Sequence, residues 1–245
     1  MTATLPTSVS RLATRSLFRM RLHGAWRSGR FLPPAIAAIV AIVSIFAGGA
    51  SPAGDGWGLT AYVLMPILAW QTKVLLDTEP DVARRLAVVT VGRRREVRAG
   101  LTAAIAAGYA LVLPALVIPW LIGGILLDPT RSDPSAPPLP VGIVMGIWAL
   151  VLMPIPALGL GALSSRVITV NQGYGTATLV GGWIVMVVAG LPRSPVRFLA
   201  PPLIQVAKAA HEQIDIPRLL TLTGWTLAWS AVVVAVYVVL RRSRA

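Results

Sequence analysis

Residues able to do chemistry are scarce in this chain, and their spacing excludes the familiar catalytic sites. Its 245 residues include two histidines, nine acids and no cysteine. Without Cys there is no disulfide, thiolate metal site or sulfur nucleophile. His23 and His211 lie in opposite flanking regions and form no shared metal or catalytic pair. His211-Glu212 has no second His four residues on, as a zinc-protease helix requires. A P-loop needs glycines ahead of a Lys-Ser/Thr pair, because backbone N–H groups cradle the phosphates and the Lys reaches them. No Gly-Lys pair occurs anywhere. The expectation is a chain that is not an enzyme, holds no metal or cofactor of its own, and leaves any ATP hydrolysis to another polypeptide. No carboxylate is expected in the middle of an apolar segment, where Asp or Glu usually marks proton- or sodium-coupled transport. Nor is there an Asp pair or Ser–His pair suited to intramembrane proteolysis. Apart from Arg98 at the very edge of one apolar segment, Lys73 is the one charge inside such a segment, about a turn from its end. It reads as a side chain snorkelling to headgroups or, alternatively, as a substrate or subunit contact.

The elements that carry these residues are apolar. Hydrophobic residues make up 56% of the chain and charged residues 13%, with a mean hydropathy of +0.74. A soluble domain carries about 25% charged residues. A spanning helix takes about 20 apolar residues to cross about 30 Å of hydrocarbon. Six segments fit: Phe31–Gly49, Leu59–Leu76, Val97–Leu127, Val141–Ser165, Tyr174–Leu191 and Leu220–Leu240. The third exceeds one crossing and contains Pro114 and Pro119, so it tilts, kinks or projects; Pro154 and Pro156 predict a bend in the fourth. The net charge of +13 raises nucleic-acid binding, but the Lys and Arg residues flank apolar segments, which is the pattern of membrane topology. Seventeen of the 22 basic residues fall on one set of alternate connections and five on the other. The positive-inside bias then places both termini in the cytoplasm. The N-terminal stretch lacks the continuous apolar core and cleavage site of a secretory signal, so the first apolar segment reads as a retained helix. The fold class is an all-α, multi-pass protein of the cytoplasmic membrane: residues 1–30 as a cytoplasmic arm and residues 31–245 as a six-helix transmembrane domain.

Three connections carry more information. In the N-terminal arm, a helix would place Val9, Leu12, Ala13, Leu17 and Met20 on one face and Arg11, Arg15 and Arg19 on another, with Phe18 and Leu22 interrupting the polar side. That reads as a basic amphipathic helix in the membrane interface, or as an arm that only fixes topology. In the loop 77–98, Thr78 reads as an N-cap, Pro80 fits the first turn, and Glu79 and Asp81 suit the positive end of a helix. Val82, Leu86 and Val89 make an apolar stripe and Gly92 ends the element. A helix of about three turns with an exposed acidic end suits docking in a groove of a cytoplasmic partner, or resting on lipid. In the segment 192–219, Phe198–Ala210 is too apolar for a free loop and too short to span, which predicts short helices broken at Pro201 and Pro202 and re-entrant from the external side, or else a loose loop. The remaining connection Asp128–Pro140 reads as an ordinary external loop, no internal repeat is present, and Gly142 and Gly146 mark close helix packing.

This arrangement resembles the ABC-2-type permease subunits, the transmembrane domain of type V ABC exporters, over nearly the whole chain. The stretch DTEPDVARRLAVVTVGRRREV is similar to that family's coupling-helix region. The resemblance implies a half-transporter built from two permease chains, same or related, and two P-loop ATPase subunits that hold ATP and Mg, within membrane lipid and without nucleic acid. It implies Glu79, Asp81, Arg84 and Arg85 as contacts to the ATPase. It also implies a pathway along the first, second and fifth spans, where Tyr62, Gln71, Tyr174, Thr176, Thr178 and Trp183 are the polar or aromatic candidates. Helix packing explains those six residues equally well. The expected cargo is an amphipathic or apolar drug, peptide or lipid moved outward. The rivals are a non-transporting polytopic protein, such as an immunity factor or assembly scaffold, and a nucleotide-independent channel.

Overall fold

With no water to bond exposed amides, apolar segments of this length must satisfy their backbone within helices. The computed structural model describes residues 7–132, 136–191 and 193–243, with side chains from Thr14 onward except at positions 81, 131 and 132. The described residues form α1 (Thr7–Arg27), α2 (Leu32–Phe46), α3 (Ala53–Asp77), α4 (Asp81–Val91), α5 (Arg93–Leu121), α6 (Pro129–Ser132) and α7 (Leu139–Leu152). They continue as α8 (Pro154–Leu163), α9 (Arg166–Thr169), α10 (Gln172–Ala189), a 3-10 turn at Arg197–Leu199, α11 (Leu203–Ala209) and α12 (Ile216–Ser243). Among the described residues, five stretches are long and apolar enough to cross a membrane: α3, α5, the run Leu139–Thr169, α10 and α12. The pair α1–α2, bent by 74°, raises the total to as many as six. The chain is a helical, multi-pass membrane protein.

Local chemistry explains the boundaries. The ring nitrogens of Pro33 and Pro34 open α2 where N–H groups would lack partners anyway. In the fourth predicted span the helical ladder is interrupted at Met153, because Pro154 and Pro156 bring no N–H, yet the backbone there stays in the α region. The third span was expected to run to Leu127; its helix stops at Leu121. Gly123 takes φ +68° and the chain then turns so that Ser51 and Ile125 form an isolated bridge. The second span begins earlier than expected, at Ala53, because its first turns are a small-residue face. Gly54 and Gly58 lie so close to the Ala210 and Ala207 carbonyls of and beside α11 that a Cβ would clash with either. Gly142 and Gly146 of α7 meet the same region of α3 from another side, against Ala53 and Trp57.

Helix α3 is the centre of the bundle, packed by α2, α5, α7, α8 and α11. The short helices of segment 192–219 break at Pro201 and Pro202 as the sequence predicts, and both prolines are buried. Leu203, Val206 and Ala209 of α11 are buried against the bundle, so this segment is not a loose loop. In contrast, α10 and α12 leave Val180, Ile184, Val185, Val232 and Val236 exposed, apolar surface of the kind that hydrocarbon covers.

The N-terminal helix packs differently from the sequence reading. Phe18 and Leu22, expected to interrupt a polar face, are its inward anchors with Ala25, against Leu75 and the alanines of α5. Met20 is exposed instead. Arg11, Val9, Leu12 and Ala13 have side chains outside the described residues. The reason lies in α5: Ala103, Ala104 and Ala107 present a flat, small-residue surface that admits bulky rings from a crossing helix.

Candidate functional site: a buried ion cluster and a cationic cleft

Four charged side chains meet where α1, α5, the loop before α4 and the end of α12 converge. Glu96, in the first turn of α5, is completely buried. Arg241 Nη2 lies 2.7 and 2.6 Å from its two carboxylate oxygens, and Arg241 Nη1 donates to the Tyr237 hydroxyl at 2.7 Å. Arg21 of α1 donates to Glu96 Oε1 at 2.5 Å, to the Glu96 carbonyl at 3.1 Å, and to Glu79 Oε2. Two positive and two negative groups therefore cancel, as burial demands. Gly100 makes the approach possible, since a Cβ there would meet the Arg21 guanidinium. The two arms differ. On the Glu96–Arg241 side both carboxylate oxygens and both terminal guanidinium nitrogens are bonded. On the other side Arg21 Nε and Glu79 Oε1 are buried without a partner.

This cluster changes the reading of the 77–98 loop. Thr78 does not cap α4: its hydroxyl donates to the Val74 carbonyl and closes the end of α3, while Pro80 stands at the α4 N-cap. Glu79 is not part of an exposed acidic end, because Arg21 draws it inside. Asp81 begins α4 by its backbone, and its side chain lies outside the described residues. Arg84 is half-buried and Arg85 exposed. The apolar stripe stands as predicted but faces outward, with Val82 71%, Leu86 61% and Val89 84% exposed. Ala87 is the inward contact. Gly92, at φ +86°, ends the helix where a side chain would be strained.

A cleft of about 600 Å³ opens at the same end of the bundle, between the α1–α2 turn, α3, α9 and α10. Lys73 lines it but does not extend to the surface as expected. Its ammonium is held 2.7 Å from Asp77 Oδ2, one turn on, and is buried. Asp77 Oδ1 accepts the backbone N–H of Arg166 at 2.7 Å and so ties α9 to α3. Arg30 and Arg166 also line the cleft, both exposed, and among the described residues neither guanidinium has an ion-pair or hydrogen-bond partner.

The six pathway candidates do not converge. Thr176 lines this cleft. Tyr62 and Trp183 pack ring to ring at 5.2 Å across α3 and α10. Tyr174 and Thr178 are exposed on α10. Gln71 is buried in α3, beside Gly108 of α5, with neither amide atom bonded to any described residue. At the opposite end His211 Nδ1 pairs with Asp55, an isolated contact rather than a metal site. No group of three or more metal-ligating side chains occurs among the described residues.

Sequence reasoning missed Arg21, Glu96, Tyr237, Arg241, Arg30 and Arg166. A faint signal existed for three of them: Glu96 is the lone acid in the run RRREVR, and Tyr237 and Arg241 are one turn apart. Comparison with family models, with characterised proteins and with solved structures finds no match to this chain.

Proposed function

We propose that this chain is the permease subunit of an ATP-driven ABC exporter of the ABC-2 type, working with a separate P-loop ATPase. The single observation that carries the reading is the pairing of an open face with a rigid root on one short element. Helix α4 is too short to span; it turns Val82, Leu86 and Val89 outward, a stripe suited to a partner's groove. Immediately before it, Glu79 is tied through Arg21 and Glu96 to α1, α5 and α12. A push on α4 would therefore reach three other helices through charged bonds. The under-bonded Arg21–Glu79 arm is the one that yields first, because its remaining polar atoms gain by rearranging.

In this reading both termini and the basic end face the cytoplasm, in keeping with the charge bias. Two copies of the ATPase, carrying ATP and Mg, would dock on two permease chains. Arg84 and Arg85, beside the stripe, remain ATPase contacts together with Asp81, while Glu79 acts within the permease as a transmitter. The cargo, an amphipathic or apolar molecule, would pass along α2, α3 and α10, and the apolar surface left open by α10 leaves room for a second permease or for lipid.

Tagged protein drawn from its native membrane in mild detergent is expected to bring down a P-loop ATPase in stoichiometric amount, identified by mass spectrometry. Leu86→Asp with Val89→Asp should abolish that recovery without lowering the melting temperature. Recovery of this chain alone, under conditions that preserve known complexes, would transfer the assignment to a non-transporting membrane protein.

A further inference from the structure

The cleft beside the ion cluster has a polarity gradient fixed by helix geometry. Its lining on α3 runs from Asp77, the last residue, back to Pro66, a depth of about 16 Å at about 1.5 Å per residue. On α10 it runs from Gln172, the first residue, to Val180, about 12 Å by the same rise. Its charged groups, Arg30, Lys73, Asp77 and Arg166, thus lie at helix ends or within about a turn of them, and the deeper wall is Ile67, Trp70, Leu179 and Val180.

The charges at that mouth do not cancel. Three cations face one carboxylate, and Asp77 has both oxygens engaged, one by Lys73 and one by the Arg166 backbone N–H. The guanidinium groups of Arg30 and Arg166 are left open on two different elements that border the opening. Guanidinium groups match the planar acceptor geometry of phosphate and carboxylate and bind either through charge-assisted hydrogen bonds. The positive N-terminal end of α10, with Gln172 and Thr176 in the lining, adds to the same field. A neutral amphiphile would leave both arginines uncompensated, and a cationic one would be repelled.

We propose that this cleft is a binding site for an anionic amphiphile, with a phosphate or carboxylate head between Arg30 and Arg166 and an apolar body along α3 and α10. The proposal deepens the permease reading by naming the head chemistry of the cargo, and it rests on that reading only for transport. The binding step belongs to this chain alone. A phospholipid and a free anion offer the same head chemistry, and the apolar wall favours a head that carries a chain.

The test uses the purified full chain in a neutral detergent, without any ATPase. A fluorescent lysophosphatidate is titrated against the same label on lysophosphatidylcholine and on monoacylglycerol, with sodium phosphate as a head-only competitor. Saturable lysophosphatidate binding at least about tenfold tighter than that of the other two is expected, since two charge-assisted contacts are at stake. Arg30→Gln with Arg166→Gln should abolish the preference, while Arg94→Gln with Arg98→Gln, at the same end but outside the cleft, should preserve it. Equal binding of the three lipids, or equal loss in both double variants, would overturn the site. Displacement of the probe by phosphate alone at low millimolar concentration would overturn the amphiphile in favour of a free-anion site. Selective binding without a co-purifying ATPase would leave the site standing and the permease reading fallen; an ATPase without selective binding would do the reverse.

Discussion

The basic end of the bundle holds two groups of charges that follow opposite rules. In the ion cluster, Arg21 and Arg241 face Glu79 and Glu96, all four are largely buried, and the formal charges cancel. In the cleft, Arg30, Lys73 and Arg166 face only Asp77 among the described residues, and two of the three cations stay exposed with no described ion-pair partner. Burial accounts for the difference. A charge removed from water has to be matched within hydrogen-bond distance, whereas a charge left at an opening remains available to something else. Position relative to the helix crossing therefore decides whether an arginine at this end is structural or available, and residue type does not.

Removing the shared acid tests the comparison most severely. Glu96→Gln should cost about 3–5 kcal/mol, because two buried guanidinium groups lose their common carboxylate. That corresponds to a fall in melting temperature on the order of 10 °C for a chain of this size, read by thermal unfolding in detergent. No fall would mean that water reaches the cluster and that the contrast with the cleft is false. Glu79→Gln should cost less, about 1–3 kcal/mol, since that arm is already under-bonded. Hydrogen exchange should rise in α1 and residues 79–92 and stay unchanged in α12; a uniform rise would show that the two arms are not separable. Gln71→Leu addresses a third situation, a buried polar group with no described partner. It should stabilise by about 1–2 kcal/mol, and a loss instead would place a bonded water beside the amide. The smallest effect belongs to the cleft: Arg30→Gln with Arg166→Gln should shift stability by no more than about 0.5 kcal/mol. A larger loss in the same melting assay would make the cleft a second structural ion cluster.

Much of the architecture was legible because it depends on local rules. Long runs of apolar residues form helices in hydrocarbon, and the break at Pro201 and Pro202, the ladder interruption at Pro154 and the stop at Gly92 all follow from residues within a turn of the event. The small-residue contact of Gly142 and Gly146 was legible for the same reason, though its partner face on α3 was not. The candidate site was less legible. Thr78 carries a valid N-cap signal, yet the end of the preceding helix claimed its hydroxyl first. Glu79 suits a helix dipole equally well, and Arg21, 58 residues away, outcompeted that weak field with a direct ion pair. Phe18 and Leu22 looked misplaced on an amphipathic wheel until the alanine face of α5 supplied a surface that fits them.

The sequence by itself determined that this is a multi-pass helical membrane protein, that its basic residues flank the apolar segments, and that a short helix with an apolar stripe follows the second long one. Each of these follows from composition and from spacing along a single helix. Tertiary structure alone decided which charges are buried and which are open. Arg21 and Arg30 lie nine residues apart, one within α1 and the other in the turn that makes the 74° bend, and nothing in their spacing separates them. One meets Glu96 across a helix crossing and the other meets a cleft, because charge pairing depends on distance in space, which only the packing of α1 and α2 against α3 and α5 fixes.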